Sequence, residues 1–170
     1  MTTNDADQWQ TTVDKQAIAE VIYRYCRAMD RIDHELGYSV WHEDGIADYG
    51  DMFQGSGRGF IDWVCETHAA MVSHSHQVTN ILIDVNGDRA GSEAYITVAL
   101  RFEQDGKLMQ LTGRGRYIDR WSKRDGRWAI DKRTYVQDFD DLREITATMV
   151  KGWSTRDRND PSYQVLNPAP

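Results

Sequence analysis

Three turn signals divide the stretch from Gln77 to Val136 into four extended segments, and this division limits the fold more than any other feature of the chain. Asn86-Gly87-Asp88, Asp105-Gly106 and Arg124-Asp125-Gly126 contain the residue types that tolerate the positive φ of tight hairpins. The segments Gln77 to Val85, Arg89 to Gln104, Leu108 to Lys123 and Arg127 to Val136 therefore read as an antiparallel meander. Two of them exceed the usual length of about five or six residues, and these carry Gly91 in one and Gly113 with Gly115 in the other. Glycines inside long strands predict sharp bending.

The part before the meander is helical. From Val13 to Asp33 the apolar residues Ile18, Val21, Ile22, Tyr25 and Met29 recur at spacings of three and four, one stripe of a helix. A short helical piece follows from Leu36 to Trp41, and Glu43-Asp44-Gly45 then turns the chain into a strand from Ile46 to Tyr49. After a loop at Ser56-Gly57-Arg58-Gly59, Phe60, Trp63, Val64, His68 and Met71 give a second helical period reaching Val72. Helices first and hairpins afterwards define an α+β class: a cone-shaped, curved antiparallel sheet packed on N-terminal helices, with space enclosed between them. Residues 1–12 read as a polar tail, 13–138 as the domain and 139–170 as a C-terminal extension. The extension holds a short helix from Asp141 to Val150 and a polar tail with too few apolar residues to pack alone, so a neighbouring subunit is one surface it could dock on.

Composition narrows the partners. A chain of 170 residues suits one domain, and a net charge of -7 spread without blocks disfavours nucleic acid and anionic membrane in favour of a small neutral or hydrophobic ligand. Cys26 and Cys65 lack zinc or dithiol spacing and read as reduced and buried. The first residues do not resemble a signal peptide and no apolar run has membrane length, which points to the cytoplasm. GxGxxG after a strand, GxxxxGK[ST] and GxSxG are missing, which leaves nucleotide-binding and hydrolase-elbow readings without support.

Several residues could carry chemistry. Asp30 closes the first helix at the edge of its apolar stripe, either as a solvated helix end or as a carboxylate at a pocket mouth. His74 and His76 alternate on an extended segment and so share one face. Histidine suits general acid-base work near neutral pH. A metal held by His74 and His76 lacks a third ligand at a telling distance and is the minor reading. His34, His42 and His68 read as surface or helix-packing residues. Tyr23, Tyr25, Trp41, Tyr49, Tyr95 and Tyr135 fall on elements facing the enclosed space, where two or three should line a pocket. Lys132-Arg133 and Arg114-x-Arg116 place cations on late strands, one of which could point inward to bind a leaving anion.

Three motifs carry a family resemblance. Ala17-Ile18-x-x-Val21-Ile22-x-x-Tyr25-x-x-x-Met29-Asp30, His76-Gln77-Val78-Thr79-Asn80 and Arg124-Asp125-Gly126-Arg127-Trp128-x-Ile130 resemble the opening helix, sheet entry and last hairpin of the SnoaL-like branch of the nuclear transport factor 2-like, cystatin-like superfamily. The pattern is similar to scytalone dehydratase and hexachlorocyclohexane dehydrochlorinase. That resemblance implies a cofactor-independent lyase acting on a small hydrophobic, aromatic or cyclic compound, with loss of water, halide or, from lignin-derived aromatics, formaldehyde. It also implies that Asp30 accepts a hydrogen bond from His76, whose other nitrogen removes a proton, and that Tyr25 polarises a substrate oxygen. The leaving-group cation falls at Lys132 or Arg133, with Trp41, Tyr49, Tyr135 and Arg116 as further substrate contacts. Alternatives are an isomerase or cyclase with the same base, for which Asp48 is the nearest carboxylate, and a non-catalytic ligand-binding or dioxygenase small-subunit-like protein. The resemblance implies a homo-oligomer, with a trimer favoured.

Overall fold

The computed structural model describes residues 3–149 and 152–166. Helix α1 runs Thr3–Arg31 and buries Ile18, Ile22, Tyr25, Cys26 and Met29, the stripe that the spacing predicts. Each such side chain taken fully out of water contributes about 1.5–3 kcal/mol. The helix begins ten residues before Val13 because its first turns bury almost nothing and so leave no periodic trace. Trp9 is exposed there, and the Thr11 and Thr12 hydroxyls donate back to carbonyls one turn earlier. At its other end Ile32 sits at φ 51° while Asp33 N–H reaches the carbonyl of Ala28, a Schellman closure directly after Asp30.

Helix α2 (His34–Ser39) is capped by the Asp33 side chain, and strand β1 (Trp41–Asp48) follows, so Trp41 is in a strand and not at a helix end. A short strand β2 (Gln54–Ser56) leads into α3 (Gly57–Ala69), whose start absorbs the expected glycine loop because Ser56 caps it. Strands β3 (Ser73–Asn86), β4 (Arg89–Gln104), β5 (Lys107–Arg124) and β6 (Arg127–Glu144) form the meander, with Gly87, Asp105-Gly106 and Asp125-Gly126 at positive φ in its turns. The spatial order is β2-β1-β6-β5-β4-β3, and β1 pairs parallel with β6. The result is a curved, unclosed sheet wrapped on the N-terminal helices.

Irregularities bend the sheet, but only in part at the expected glycines. The β5–β6 register shifts between Arg114 and Gly115, whereas Gly91 sits in regular pairing and the bend in β3 falls at Asn80, φ 49°. β6 also runs well past Val136. Where a helix from Asp141 was expected, the strand continues to Glu144 and residues 145–149 have no regular structure, while Val150 lies outside the described residues. A five-residue helix α4 (Ser162–Leu166) ends the description.

The C-terminal segment docks on its own chain through polar contacts. Arg31 donates to the Thr155 carbonyl at 2.9 Å, Arg27 to Ser162 Oγ at 2.8 Å, and Tyr163 to Asp33 at 2.7 Å. Polar contacts do here what apolar residues could not.

Candidate active site

The inner face of the sheet, α1 and α3 enclose a cavity of about 220 Å³. Its walls are aromatic and aliphatic: Phe60, Trp63, Val64, Ile96, Val98, Leu100, Leu111 and Tyr117. Polar groups enter at three places. His68 and His76 stand in one wall, Tyr25, Tyr49 and Tyr135 meet at another, and Gln137 and Asp140 lie at a third. A wider groove of about 750 Å³ between α1, α2 and the C-terminal segment is lined mostly by charged side chains, including Arg24, Glu35 and Arg158. The smaller cavity has the apolar enclosure and few converging polar groups of a ligand site.

Asp30 and His76 meet there. Asp30 Oδ1 accepts from His76 Nδ1 at 2.8 Å and from the His76 backbone N–H at 3.0 Å, and Oδ2 accepts from the same N–H at 3.2 Å. The carboxylate thus fixes both the ring and the strand that carries it. With Nδ1 donating, the neutral ring keeps its lone pair on Nε2, and the residue lines the cavity. The His76 side chain is only 7% exposed, so the residue addresses the cavity and not bulk water.

His74 does something else. Its Nε2 lies 2.9 Å from the Met29 carbonyl and so carries the proton, leaving Nδ1 to accept from Arg156 at 3.5 Å. Both nitrogens are engaged by protein, and among the described residues no group of three or more His, Cys, Asp or Glu is placed to hold a metal ion.

His68, read from sequence as a packing residue, belongs to the cavity wall. It is 5% exposed, its ring lies 4.4 Å from that of His74 and 5.3 Å from that of His76, and its Nδ1 is buried without a hydrogen bond among the described residues. Burial, with the neighbouring histidines adding to it, pushes its pKa down to about 3, so the ring is uncharged at neutral pH. The signal was present: His68 stands one turn beyond Val64 and two beyond Phe60 on the buried stripe of α3.

Three of the six aromatic candidates line the cavity. The Tyr25 and Tyr49 hydroxyls are 2.8 Å apart, and burial raises both phenols well above their ordinary pKa, keeping them protonated. When one donates to the other, the second O–H is available to a substrate oxygen. Tyr135 stacks on Tyr49 at 5.5 Å, in space left by Gly115, where an added Cβ would come within 2.9 Å of its hydroxyl. Trp41 is buried in the core instead, its ring filling the place of a side chain at Gly57. Tyr23 and Tyr95 point to solvent.

None of Lys132, Arg133 and Arg116 lines the cavity. Lys132 lies outside the cavity, 3.5 Å from Asp48, which removes Asp48 as a pocket base as well. Arg116 is on the outer face, paired with Glu93 and Asp138. Arg133 does point inward and is fully buried, but Asp119 holds it through bonds of 2.8 and 2.7 Å, and its guanidinium lies between the Tyr25 and Tyr117 rings at 4.2 and 4.0 Å. It braces the tyrosines from behind.

An open curved sheet around an enclosed, mostly apolar pocket is a cone-shaped fold shared with a solved nuclear transport factor 2-like protein of cystatin-like fold. Residues 10–134 match the model of the SnoaL-like domain, and the chain belongs to that family. Among solved structures it is similar to a Novosphingobium aromaticivorans protein provisionally named a scytalone dehydratase, at 22% identity and TM-score 0.67, covering 80% of this chain and 91% of that one. It is also similar to the hexachlorocyclohexane dehydrochlorinase LinA-type3 of Novosphingobium barchaimii, at 14% identity and TM-score 0.69, covering 87% and 99%. A single-substitution variant of Rv3472 from Mycobacterium tuberculosis, a protein described as of unknown function, aligns at 29% identity and TM-score 0.65 over 78% and 75%. No curated protein matches the chain. No described helix is long and apolar enough to cross a membrane.

Proposed function

We propose that the protein is a cofactor-independent lyase that removes a proton from a small hydrophobic, aromatic or cyclic substrate and expels a neighbouring group. The observation carrying this reading is the Asp30-oriented His76 ring, whose remaining lone pair addresses an apolar cavity. Nε2 takes the proton from a C–H group, its electron pair forms the new double bond, and the adjacent C–O bond breaks. The imidazolium then returns the proton to the departing oxygen, which leaves as water. Tyr25 and Tyr49 hydrogen-bond a substrate carbonyl or phenol oxygen on which charge accumulates. Formaldehyde loss from a lignin-derived unit uses the same base on an O–H group, with a C–C bond breaking and the carbanion taking the proton back. Since a cavity of about 150 Å³ accommodates benzene, one of about 220 Å³ suits a substituted single ring or a compact bicycle.

The phenol pair also supports a second reading, an isomerase or cyclase in which the enolate is reprotonated elsewhere without loss of a group. A ligand-binding or dioxygenase small-subunit-like role would leave the His76 and Asp30 geometry without use. Incubation with hydroxylated aromatics, including lignin-derived dimers, followed by product mass separates these. Loss of water or formaldehyde by wild type and not by folded His76→Ala supports the lyase, whereas unchanged mass supports the isomerase. Absence of turnover, with binding retained, favours the non-catalytic role. A cytoplasmic homo-oligomer, with a trimer favoured, belongs to the same proposal. Exposed Leu82, Tyr95 and Ile118 on the sheet support an assembly that sedimentation would measure.

A further inference from the structure

The C-terminal segment meets the histidine cluster from behind. Arg156 Nη1 donates to the His68 carbonyl at 2.7 Å and lies 3.5 Å from His74 Nδ1. Next to it, Thr155 and Asp160 hold Arg31, the residue after Asp30. One strap therefore fastens the end of α1, the end of α3 and the start of β3, the three places that carry Asp30, His68, and His74 with His76. Residues 155–163 lie beyond residues 10–134, the region matched by the family model.

The hydrogen-bond directions around His74 fit one ring state. Its Nε2–H is taken by the Met29 carbonyl, and its Nδ1 faces a guanidinium that can only donate. A proton on Nδ1 would meet another donor and a full positive charge.

We propose that Arg156 is a positioning residue for this cluster: it occupies the lone-pair side of His74 and ties down α3 beneath His68, so that both rings stay uncharged and in contact behind His76. The charged and titratable groups around His74 are Asp30 on α1, His68 on α3, His76 on β3 and Arg156 on the strap. The Met29 carbonyl and, among the charged groups, Asp30 favour a proton on His74, and that carboxylate already binds His76. Burial first, and the neighbouring charges after it, lower the His74 pKa, and Arg156 contributes in the same direction at both His74 and His68. The consequence for catalysis rests on the reading of His76 as the base. With uncharged rings beside it, His76 can accept a proton without repulsion.

The ring states can be measured without a substrate. Histidine Cε1–H signals followed by NMR across pH should show His68 and His74 of wild type titrating below a free histidine. Arg156→Ala should bring the His74 titration up by about one unit or more, because a charge at this distance is removed and the ring is opened to water. Arg156→Lys, which keeps the charge, should stay near wild type. Arg156→Gln keeps a donor for the His68 carbonyl, preserves the fold if Arg156→Ala does not, and should shift His74 as the alanine does. An alanine or glutamine variant that folds and titrates as wild type overturns the proposal, and so does a lysine variant that shifts as far as alanine. Failure of the elimination assay leaves this measurement intact, so the two readings fail separately.

Discussion

Two buried acid-base pairs flank the same cavity and are built to opposite ends. Asp119 engages Arg133 through two bonds, and tyrosine rings lie against the guanidinium. Asp30 engages one nitrogen of His76 and one backbone N–H, leaving the other nitrogen toward the cavity. The first pair directs its charges at each other beneath the pocket wall; the second leaves a basic lone pair in an apolar space. Burial alone does not mark a reactive group. Arg133 also keeps Nη1 without a hydrogen bond among the described residues, but that donor is buried away from the cavity lining, so what separates the pairs is where the spare group lies.

This contrast can be broken by substitution. The largest effect is expected at His76→Ala, which should lower turnover by about 10²–10⁴-fold while urea melts change little, as steady-state assays on a responsive substrate would show. Asp119→Ala should do the reverse of a catalytic lesion: stranding a buried guanidinium costs about 3–5 kcal/mol, read from denaturant midpoints. Replacing both partners, Asp119→Leu with Arg133→Met, should restore most of that stability, and a double variant as unstable as Asp119→Ala would show that the pair does more than balance charge.

A smaller effect comes from His68. Its ring is uncharged in the folded protein down to pH about 3, whereas the unfolded chain binds that proton near 6.5. The unfolded state therefore holds more protons across this window. The His68 contribution is fully present above about 6.5 and declines as pH falls, by up to about 1.4 kcal/mol per pH unit. Urea midpoints from pH 7 to 4 should fall less steeply in His68→Gln than in wild type. Smallest is Asp14: burial raises its pKa, but hydrogen bonds from Trp128, Lys123 and Gln10 outweigh this and leave it below the usual carboxylate range. Its contribution is present above the ordinary carboxylate pKa and lost below it, so Trp128→Phe should weaken the acid dependence only below about pH 4.

Periodicity placed Asp30 at the end of a helix stripe and His76 on an alternating strand, but their pairing was implied by the family resemblance and not by the spacing, which carries no information on whether the two elements meet. Which of Lys132 and Arg133 faces inward was not legible either. Trp121 pairs with Ile130 but Arg120 pairs with Lys132, so Asp131 is an extra residue in β6. A one-residue bulge reverses which side chains face inward, turning Arg133 and Tyr135 in and Lys132 out. A second extra residue at Asp138 brings Gln137 and then Asp140 to the cavity. Neither bulge leaves a trace in hydrophobic alternation. The strap was missed for a different reason: its residues dock through arginines and carboxylates, which periodicity does not weigh.

The parallel pairing of β1 with β6 sets an order of assembly. Hairpins joining β3 to β6 close through neighbouring residues, as does the pairing of Ala47 with Gly55, but the other edge of β1 has no partner until β6 exists and Arg133 has come beside Ala47. Contacts so distant along the chain are slow because a long loop must first be closed. Tyr49, just after β1, stacks on Tyr135 of β6 only once that loop has closed. The phenol end of the cavity is thus expected to form late, and until then the hairpins expose the apolar surface that will line it.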